Sequence, residues 1–304
     1  MAKRSYGRLS FETSNEDKVL FPEAEITKGA LIDYYERIAD RILPWLVGRP
    51  LVLQRFPDGI RGQGFYQKQV GDHFPDWITT VRVHVRGSDG TQELLVCDKK
   101  ATLAYVANQA CIALHPWLSR TDRLDHPDQL IIDLDPPGED FEAARRAALQ
   151  VRCLFEEELD LPCYVKLTGS KGLHVTVPLD RSENFDSIRE LARAAMELLA
   201  SRHPDELTTE QRKAKRHGRL YLDVGRNAYG QTAVAPWSLR PLPEAPVAAP
   251  VAWRELERRG IGPRDYTAEN LFRRVARRRD PWAGLRGRAR SLGHARGRLE
   301  RLRS

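Results

Sequence analysis

The chain has 304 residues, 41% of them hydrophobic, and a formal charge of +7, enough to bury one large core or two lobes and too apolar to be disordered throughout. No apolar run approaches the ~18 residues a membrane helix needs, and no apolar stretch follows a basic start, which predicts a cytoplasmic protein with neither a membrane span nor a signal peptide. The charge is lopsided: from Leu271 onward 12 Arg face only Asp280 and Glu300, so the other 270 residues carry −3 and the basic character belongs to the tail, read equally as a DNA contact or a solvated end.

Thr27 is placed to N-cap a helix over 28–43, where Ala30, Leu31, Tyr34, Ile38 and Ile42 fall near helical spacing. Residues 49–56 read as a strand before a Pro-Asp-Gly turn, and 65–70, 79–86 and 91–97 as further strands, the last two joined by a hairpin turn at 87–90. Asp98 is expected to cap a helix running through 101–114 to His115. Beyond residue 135 come an amphipathic helix (141–159), two strands (163–168 and 173–179) around a Gly-Ser-Lys-Gly turn, a helix (187–202) and a strand (219–224). A proline-rich connector, 241–253, is expected to cross the surface before a last helical, then Arg-rich, segment. Strands dominate 49–97 while strands and helices interleave after 128, which predicts two lobes of one catalytic unit meeting near 120–128. Cys97, Cys111, Cys153 and Cys163 form no C-x-x-C pair, so a zinc site or disulfide framework is not expected and reduced, buried thiols are.

The most informative stretch is DQLIIDLDPPGED, residues 128–140. On a strand, residues i and i+2 share a face, so Asp133 and Asp135 project together while Ile132 and Leu134 bury. Two ionised carboxylates so placed repel unless a cation sits between them. A pair of hard divalent ions supplies that charge and can hold the attacking and leaving oxygens of a phosphoryl displacement. A strand-end cap before Pro136 explains a lone D-x-D as well. A third carboxylate shifts the balance, since Asp223 also ends an apolar strand, in GRLYLDVGRN. Between them, Thr168 to His174 join two strands through Gly169 and Gly172, which permit close backbone approach to a phosphate, with Lys171 adding a point charge. A hairpin turn with an exposed lysine, and His174 as a satisfied core histidine, are the plainer readings of these residues taken singly. Together with the acidic strand ends they favour a nucleoside triphosphate and its metals.

The segments LHPWLSR…HPDQLIIDLDPP, TGSKGLHVTVPL and LYLDVGRN…TAVAPWSLRP resemble, in order and spacing, the polymerase domain of bacterial ligase D, a branch of the archaeo-eukaryotic primase superfamily. NEDKVLFPEAEITKGALIDYY, GFYQKQ and APVAAPVAWREL extend the resemblance from about residue 9 to about 280. It implies an α+β fold, a two-lobed primase-like catalytic unit with a central, mostly antiparallel sheet flanked by helices. Residues 1–120 would form an N-terminal lobe with the DNA contacts, 121–280 the catalytic lobe, and 281–304 an Arg-rich tail. By the same resemblance Asp133, Asp135 and Asp223 would bind two Mn²⁺ or Mg²⁺ ions. His115, Thr168, Ser170, Lys171, His174 and Arg240 would contact the nucleotide. Asn15, Lys18 and Lys28 match a pocket for a DNA 5′-phosphate, Phe65 and Tyr66 an aromatic pair that stacks on the template, and Lys68 a neighbouring DNA contact. Without the resemblance these lysines read as solvated and the two aromatics as core.

The implied activity is template-directed nucleotidyl transfer that extends primers and fills gaps in non-homologous end joining, with ribonucleotides favoured. The implied partners are nucleoside triphosphates, DNA with gaps, breaks or 3′ overhangs and a 5′-phosphate, and Ku with a separate DNA ligase, on the nucleoid and away from any membrane. The chain departs from the family pattern at Thr168, where serine is usual, at Arg226, where glutamine is frequent, and at Ala113, where an acidic residue is common; these bear on substrate preference. No K-x-D-G and no histidine-acidic clusters occur, which reads as a stand-alone polymerase or an excised domain. The competing readings are a haloacid dehalogenase-type phosphatase, which also uses a strand-end D-x-D, and a non-catalytic DNA-end-binding accessory protein; de novo priming is a further activity the sequence allows.

Overall fold

The computed structural model describes every residue except Met1, Ser88 and Arg259. The chain folds into two compact units that interleave along the sequence. The first gathers the residues up to Asp122 with Thr232–Ala248 and Tyr266–Arg278, and the second comprises Arg123–Gln231, Ala249–Asp265 and Arg279–Ser304. Three consecutive segments divided at 120 and 280 therefore do not describe it: two late segments return to the first unit, and the Arg-rich tail joins the second.

In the first unit the helix Lys28–Leu46 begins where expected, with the Thr27 hydroxyl accepting from Ala30 N at 3.2 Å. Its apolar stripe, Leu31, Tyr34, Tyr35, Ile38 and Ile42, is buried. An antiparallel sheet runs in the order Phe65–Gln67, Pro50–Arg55, Thr91–Val96 and Thr79–His84. The hairpin closes as predicted, with Val85 N donating to Gly90 O at 3.0 Å; Ser88 of that turn lies outside the described residues.

The helix expected up to His115 is corrected. Lys100–Asn108 is helical, but its N-cap is Lys99, and Asp98 instead accepts from the Thr79 hydroxyl at 2.7 Å. Ala110, at φ +54°, breaks the helix, and Cys111–Pro116 becomes a strand paired with Pro50–Arg55. An apolar run buried on every side fits helix and central strand alike, so periodicity had no purchase there.

The second unit carries a six-stranded sheet in the order Leu207–Thr208, Leu220–Asp223, Gln129–Asp135, Leu173–Pro178, Tyr164–Leu167 and Pro250–Val251. Every pairing is antiparallel except that of Leu207–Thr208 with Leu220–Asp223. The helices Phe141–Cys153 and Phe185–Arg202, N-capped by Asp140 and Asn184, pack against its strands, giving the α+β class anticipated.

The proline-rich connector crosses the surface only at its start, where Pro243 and Glu244 are exposed, and Ala245 through Val251 are buried. Small side chains let its backbone run inside, where Ala249 O accepts from Leu167 N at 3.0 Å and Pro250–Val251 extends the sheet. The Arg-rich end is ordered as the helix Gly293–Arg303, with Ala295 and Leu299 buried. Several of its arginines are used internally, Arg296 on Glu183 at 2.7 Å and Arg303 on Glu197 at 3.3 Å. All four cysteines are free thiols; Cys97, Cys111 and Cys163 are buried as expected, but Cys153 is exposed. Among the described residues no helix is long and apolar enough to cross a membrane.

Candidate active site

Strand register in the second unit builds one lateral row of charge. Asp133 lies directly opposite Asp223 on one neighbouring strand and opposite His174 on the other, and His174 lies opposite Lys166 on the next strand. Residues opposite each other in an antiparallel pair point to the same face, so Asp223, Asp133, His174 and Lys166 form a line across four strands. Asp135, two residues beyond Asp133, shares that face at the strand end, where it is exposed. Ile132 and Leu134 are fully buried on the opposite face. The three aspartates and His174 thus share one face of the sheet. Lys166, only 2% exposed, was missed; counting the hairpin outward from its turn, 167 against 173 and then 166 against 174, would have placed it in the row.

Two further residues fix this geometry. The buried Asn227 donates to Ile131 O at 2.6 Å and accepts from Ile131 N at 2.8 Å, tying the segment after Asp223 to the strand that carries Asp133. Nothing in the sequence distinguishes it from an ordinary loop asparagine. The turn that follows Lys166 is organised by Thr168, whose hydroxyl donates to Gly172 O at 3.1 Å and accepts from Ser170 N and Gly172 N at 3.3 and 3.2 Å. Gly172 passes so close to the acidic strand that an added Cβ would stand 2.0 Å from Leu134 O and 2.9 Å from Asp135 Oδ1. Thr168, Ser170 and Lys171 are therefore presented beside the acidic strand end, Lys171 exposed and Ser170 O accepting from Arg264 Nε at 2.8 Å.

Asp133 is 4% exposed, and both of its oxygens face protein groups: Arg226 Nε donates to Oδ2 at 3.0 Å, and His174 Nε2 lies 3.4 Å from Oδ1. Burial opposes ionisation of this carboxyl, but the neighbouring ring and guanidinium outweigh it and hold Asp133 well below the usual carboxylate range. His174 is pushed down to about 4, chiefly by burial, against the attraction of Asp133 and with Lys166 adding to the depression. Arg226 is the cationic group in direct contact with Asp133. Assigning the ring proton to Nε2, as its contact with Asp133 requires, leaves His174 Nδ1 a buried acceptor with no partner among the described residues. Asp223 Oδ1 accepts from Gly225 N at 2.6 Å. Three carboxylates on one face are the hard-oxygen donor set that Mg²⁺ or Mn²⁺ prefers. Among the described residues no three His, Cys, Asp or Glu side chains converge as a metal cluster; the donors share a face while Arg226 neutralises the central one.

The first unit holds two other clusters. Asn15, at φ +49°, opens a turn in which Lys18 N donates to Asn15 O, and that turn is tied to the start of the Lys28 helix by Lys28 N to Lys18 O at 2.8 Å and Gly29 N to Glu16 O at 2.8 Å. Lys28 is 6% exposed with Nζ on Ser14 Oγ at 3.0 Å, so it is not a solvated lysine; burial and the nearby Lys18 lower its pKa. Lys18 pairs with Asp58 at 2.8 Å. On the edge strand Phe65–Gln67, Phe65 and Tyr66 are 45% and 57% exposed, so neither belongs to the core. The Tyr66 ring meets His115 edge-on at 5.5 Å, His115 Nε2 lies 3.3 Å from Gln54 Oε1, and Lys68 is exposed beyond them. Arg240 lies apart from both clusters in sequence, with its backbone N bonded to Pro246 O at 2.8 Å.

Comparison with known proteins gives the family of the chain. Residues 27–282 match the sequence profile described as "LigD, primase-polymerase domain". The chain is 31% identical over 284 residues to the bifunctional non-homologous end joining protein LigD of Bacillus subtilis, covering 92% of this chain and 44% of that protein. It is 33% identical over 262 residues to the multifunctional LigD of Mycolicibacterium smegmatis, covering 84% of this chain and 34% of that one. It thus spans less than half the length of these relatives. Among solved structures, the polymerase domain of Mycobacterium tuberculosis ligase D in complex with DNA superposes with a TM-score of 0.84 at 30% identity, covering 92% of this chain and 99% of that one. With a strand-register carboxylate row and a profile match over most of its length, the chain belongs to the LigD primase-polymerase domain family, nucleotidyltransferases that act on DNA.

Proposed function

We propose that this chain is a metal-dependent, template-directed polymerase that extends primers and fills gaps at DNA breaks in non-homologous end joining, with ribonucleotides and Mn²⁺ favoured. The observation that carries the reading is the pairing of Asp133 with Asp223 across two strands, with Asp135 beside them. Asp133, Asp135 and Asp223 would hold two divalent cations. When bound, such cations supply the charge that activates a primer 3′-hydroxyl for in-line attack on the α-phosphorus and that offsets charge on the departing pyrophosphate. The protein contributes positioning and electrostatics and needs no nucleophile of its own. The turn from Thr168 to Gly172 would bring Thr168, Ser170 and Lys171 to the nucleotide, with His174 near them. His115 and Arg240, both in the first unit, keep the nucleotide-contacting role that the resemblance implies.

The lysine cluster suits the other end of the substrate. A terminal 5′-phosphate carries extra charge that Lys18, Lys28 and the Asn15 amide can read, and exposed Phe65 and Tyr66 accept any base by stacking, with Lys68 on the backbone. Ku, a separate DNA ligase and a nucleoid setting complete the proposal, as the family resemblance implies. The test is single-nucleotide extension on gapped DNA with and without a 5′-phosphate, across ribo- and deoxyribonucleotides and across Mn²⁺ and Mg²⁺. Incorporation that requires a divalent cation and is stimulated by the 5′-phosphate is expected; no incorporation under any combination would sink the reading in favour of a non-catalytic end-binding protein.

A further inference from the structure

Arg226 stands on a turn anchored at both ends. Gly225 N donates to Asp223 Oδ1 at 2.6 Å, and Asn227 N donates to Val224 O at 3.1 Å while its side chain clamps Ile131 on the adjacent strand. From this base the guanidinium reaches Asp133, Nε to Oδ2 at 3.0 Å, and its charge is also felt by Asp223 and Asp135. With His174 Nε2 near Oδ1, both oxygens of the central carboxylate of the row already face protein groups, and Asp133 has almost no exposure through which water could compensate its charge. A cation that approaches Asp133 Oδ2 competes with Arg226 for the charge of that oxygen and for one of its lone pairs. Arg226 itself is partly accessible, with a side chain 42% exposed.

We propose that Arg226 is a displaceable counter-ion of Asp133 that sets the affinity of the carboxylate row for divalent cations, an inference that rests on the metal-binding reading of that row. Without a cation, three carboxylates on one sheet face repel, and the guanidinium relieves this by a charge-assisted hydrogen bond to the most buried of them. The same bond makes cation binding a competition, so the row binds divalent ions more weakly than the bare carboxylates would. The effect belongs to the bond as well as to the charge, because an ammonium on a lysine stem is a point charge without the fixed fork of a guanidinium.

The test is binding of Mn²⁺ alone, without DNA or nucleotide, followed by calorimetry and by loss of the free-Mn²⁺ paramagnetic signal. Four proteins are compared: wild type, Arg226→Gln, Asp133→Asn and the double variant, with Arg226→Lys alongside. Arg226→Gln is expected to bind Mn²⁺ about tenfold tighter, the scale of one lost charge-assisted bond, and Arg226→Lys about threefold tighter. In the Asp133→Asn background the glutamine substitution should change Mn²⁺ affinity less than about twofold, because the bond it removes is already gone. Mn²⁺ binding by Arg226→Gln and Arg226→Lys at wild-type strength or weaker overturns the proposal, as does an undiminished tenfold gain in the Asp133→Asn background, which would mark a general field effect. Absence of saturable Mn²⁺ binding in wild type and Arg226→Gln alike would overturn the metal reading itself, and this inference with it. Thermal melting of each variant checks that it is folded, and the lysine variant carries the comparison if glutamine unsettles the turn.

Discussion

The carboxylate row of the second unit and the lysine and aromatic clusters of the first are built in opposite ways. The row is set by strand register and is buried at Asp133, His174 and Lys166, with Asp133 held between Arg226 and His174. The clusters sit on a turn, a helix start and an edge strand, with Phe65, Tyr66 and Lys68 exposed. Chemistry that depends on the placement of developing charge needs the first construction, since a displacement on the order of 1 Å can cost about a hundredfold. Reading a DNA end needs the second, because stacking and phosphate contact add affinity in modest, separable steps.

The contrast can be broken most severely at its centre. Asp133→Ala is expected to lower nucleotide incorporation by at least about a hundredfold while leaving affinity for 5′-phosphorylated gapped DNA within about twofold, measured by primer extension and fluorescence anisotropy on the same preparation. Retained extension would remove Asp133 from the chemistry. Gly172→Ala should follow closely, because the new methyl has no room beside Leu134 O and must push the turn away from the acidic strand. A loss of about a hundredfold in kcat, with a lowered Tm, is expected, and unchanged kcat would mean that the turn does not need this registry.

On the other side of the comparison the effects shrink. Lys28→Ala should weaken the discrimination between phosphorylated and dephosphorylated gaps about tenfold, the scale of one charge-assisted contact, with kcat on saturating DNA nearly unchanged. Tyr66→Ala and Phe65→Ala should each weaken template binding by roughly five- to tenfold irrespective of base sequence. Lys18→Ala is expected to do less than Lys28→Ala, since Lys18 is more exposed and shares its charge with Asp58. If Lys18→Ala erases the phosphate preference while Lys28→Ala keeps it, the buried and exposed roles of the two lysines are reversed.

How much of this was legible depended on what each feature needed from the rest of the chain. The shared face of Asp133 and Asp135 follows from the two-residue repeat of a strand, and the helix start at Thr27 from its side-chain chemistry, so both were readable locally. The pairing of Asp133 with Asp223 and His174 requires knowing which strands are neighbours, which sequence spacing does not encode. Lys166 was overlooked because a lysine in a short apolar strand looks like a solvent-facing residue until the hairpin register is counted. The segment leading to His115 and the stretch Ala245–Val251 misled for one reason: both are buried, so neither shows the polar-apolar alternation that distinguishes strand, helix and surface loop. The arginines of the tail revealed their charge but not their partners, Glu183 just before the helix Phe185–Arg202 and Glu197 within it, about a hundred residues earlier.

The account rests most on the cross-strand carboxylate, because Asp223 turns an acidic strand end into a site. The direct measurement is single-nucleotide incorporation into 5′-phosphorylated gapped DNA by Asp223→Asn, with DNA affinity recorded in parallel. The prediction is incorporation reduced by at least about a hundredfold with DNA binding retained. Incorporation at the wild-type rate would contradict it, because it would mean that the residue opposite Asp133 in the sheet takes no part in the reaction.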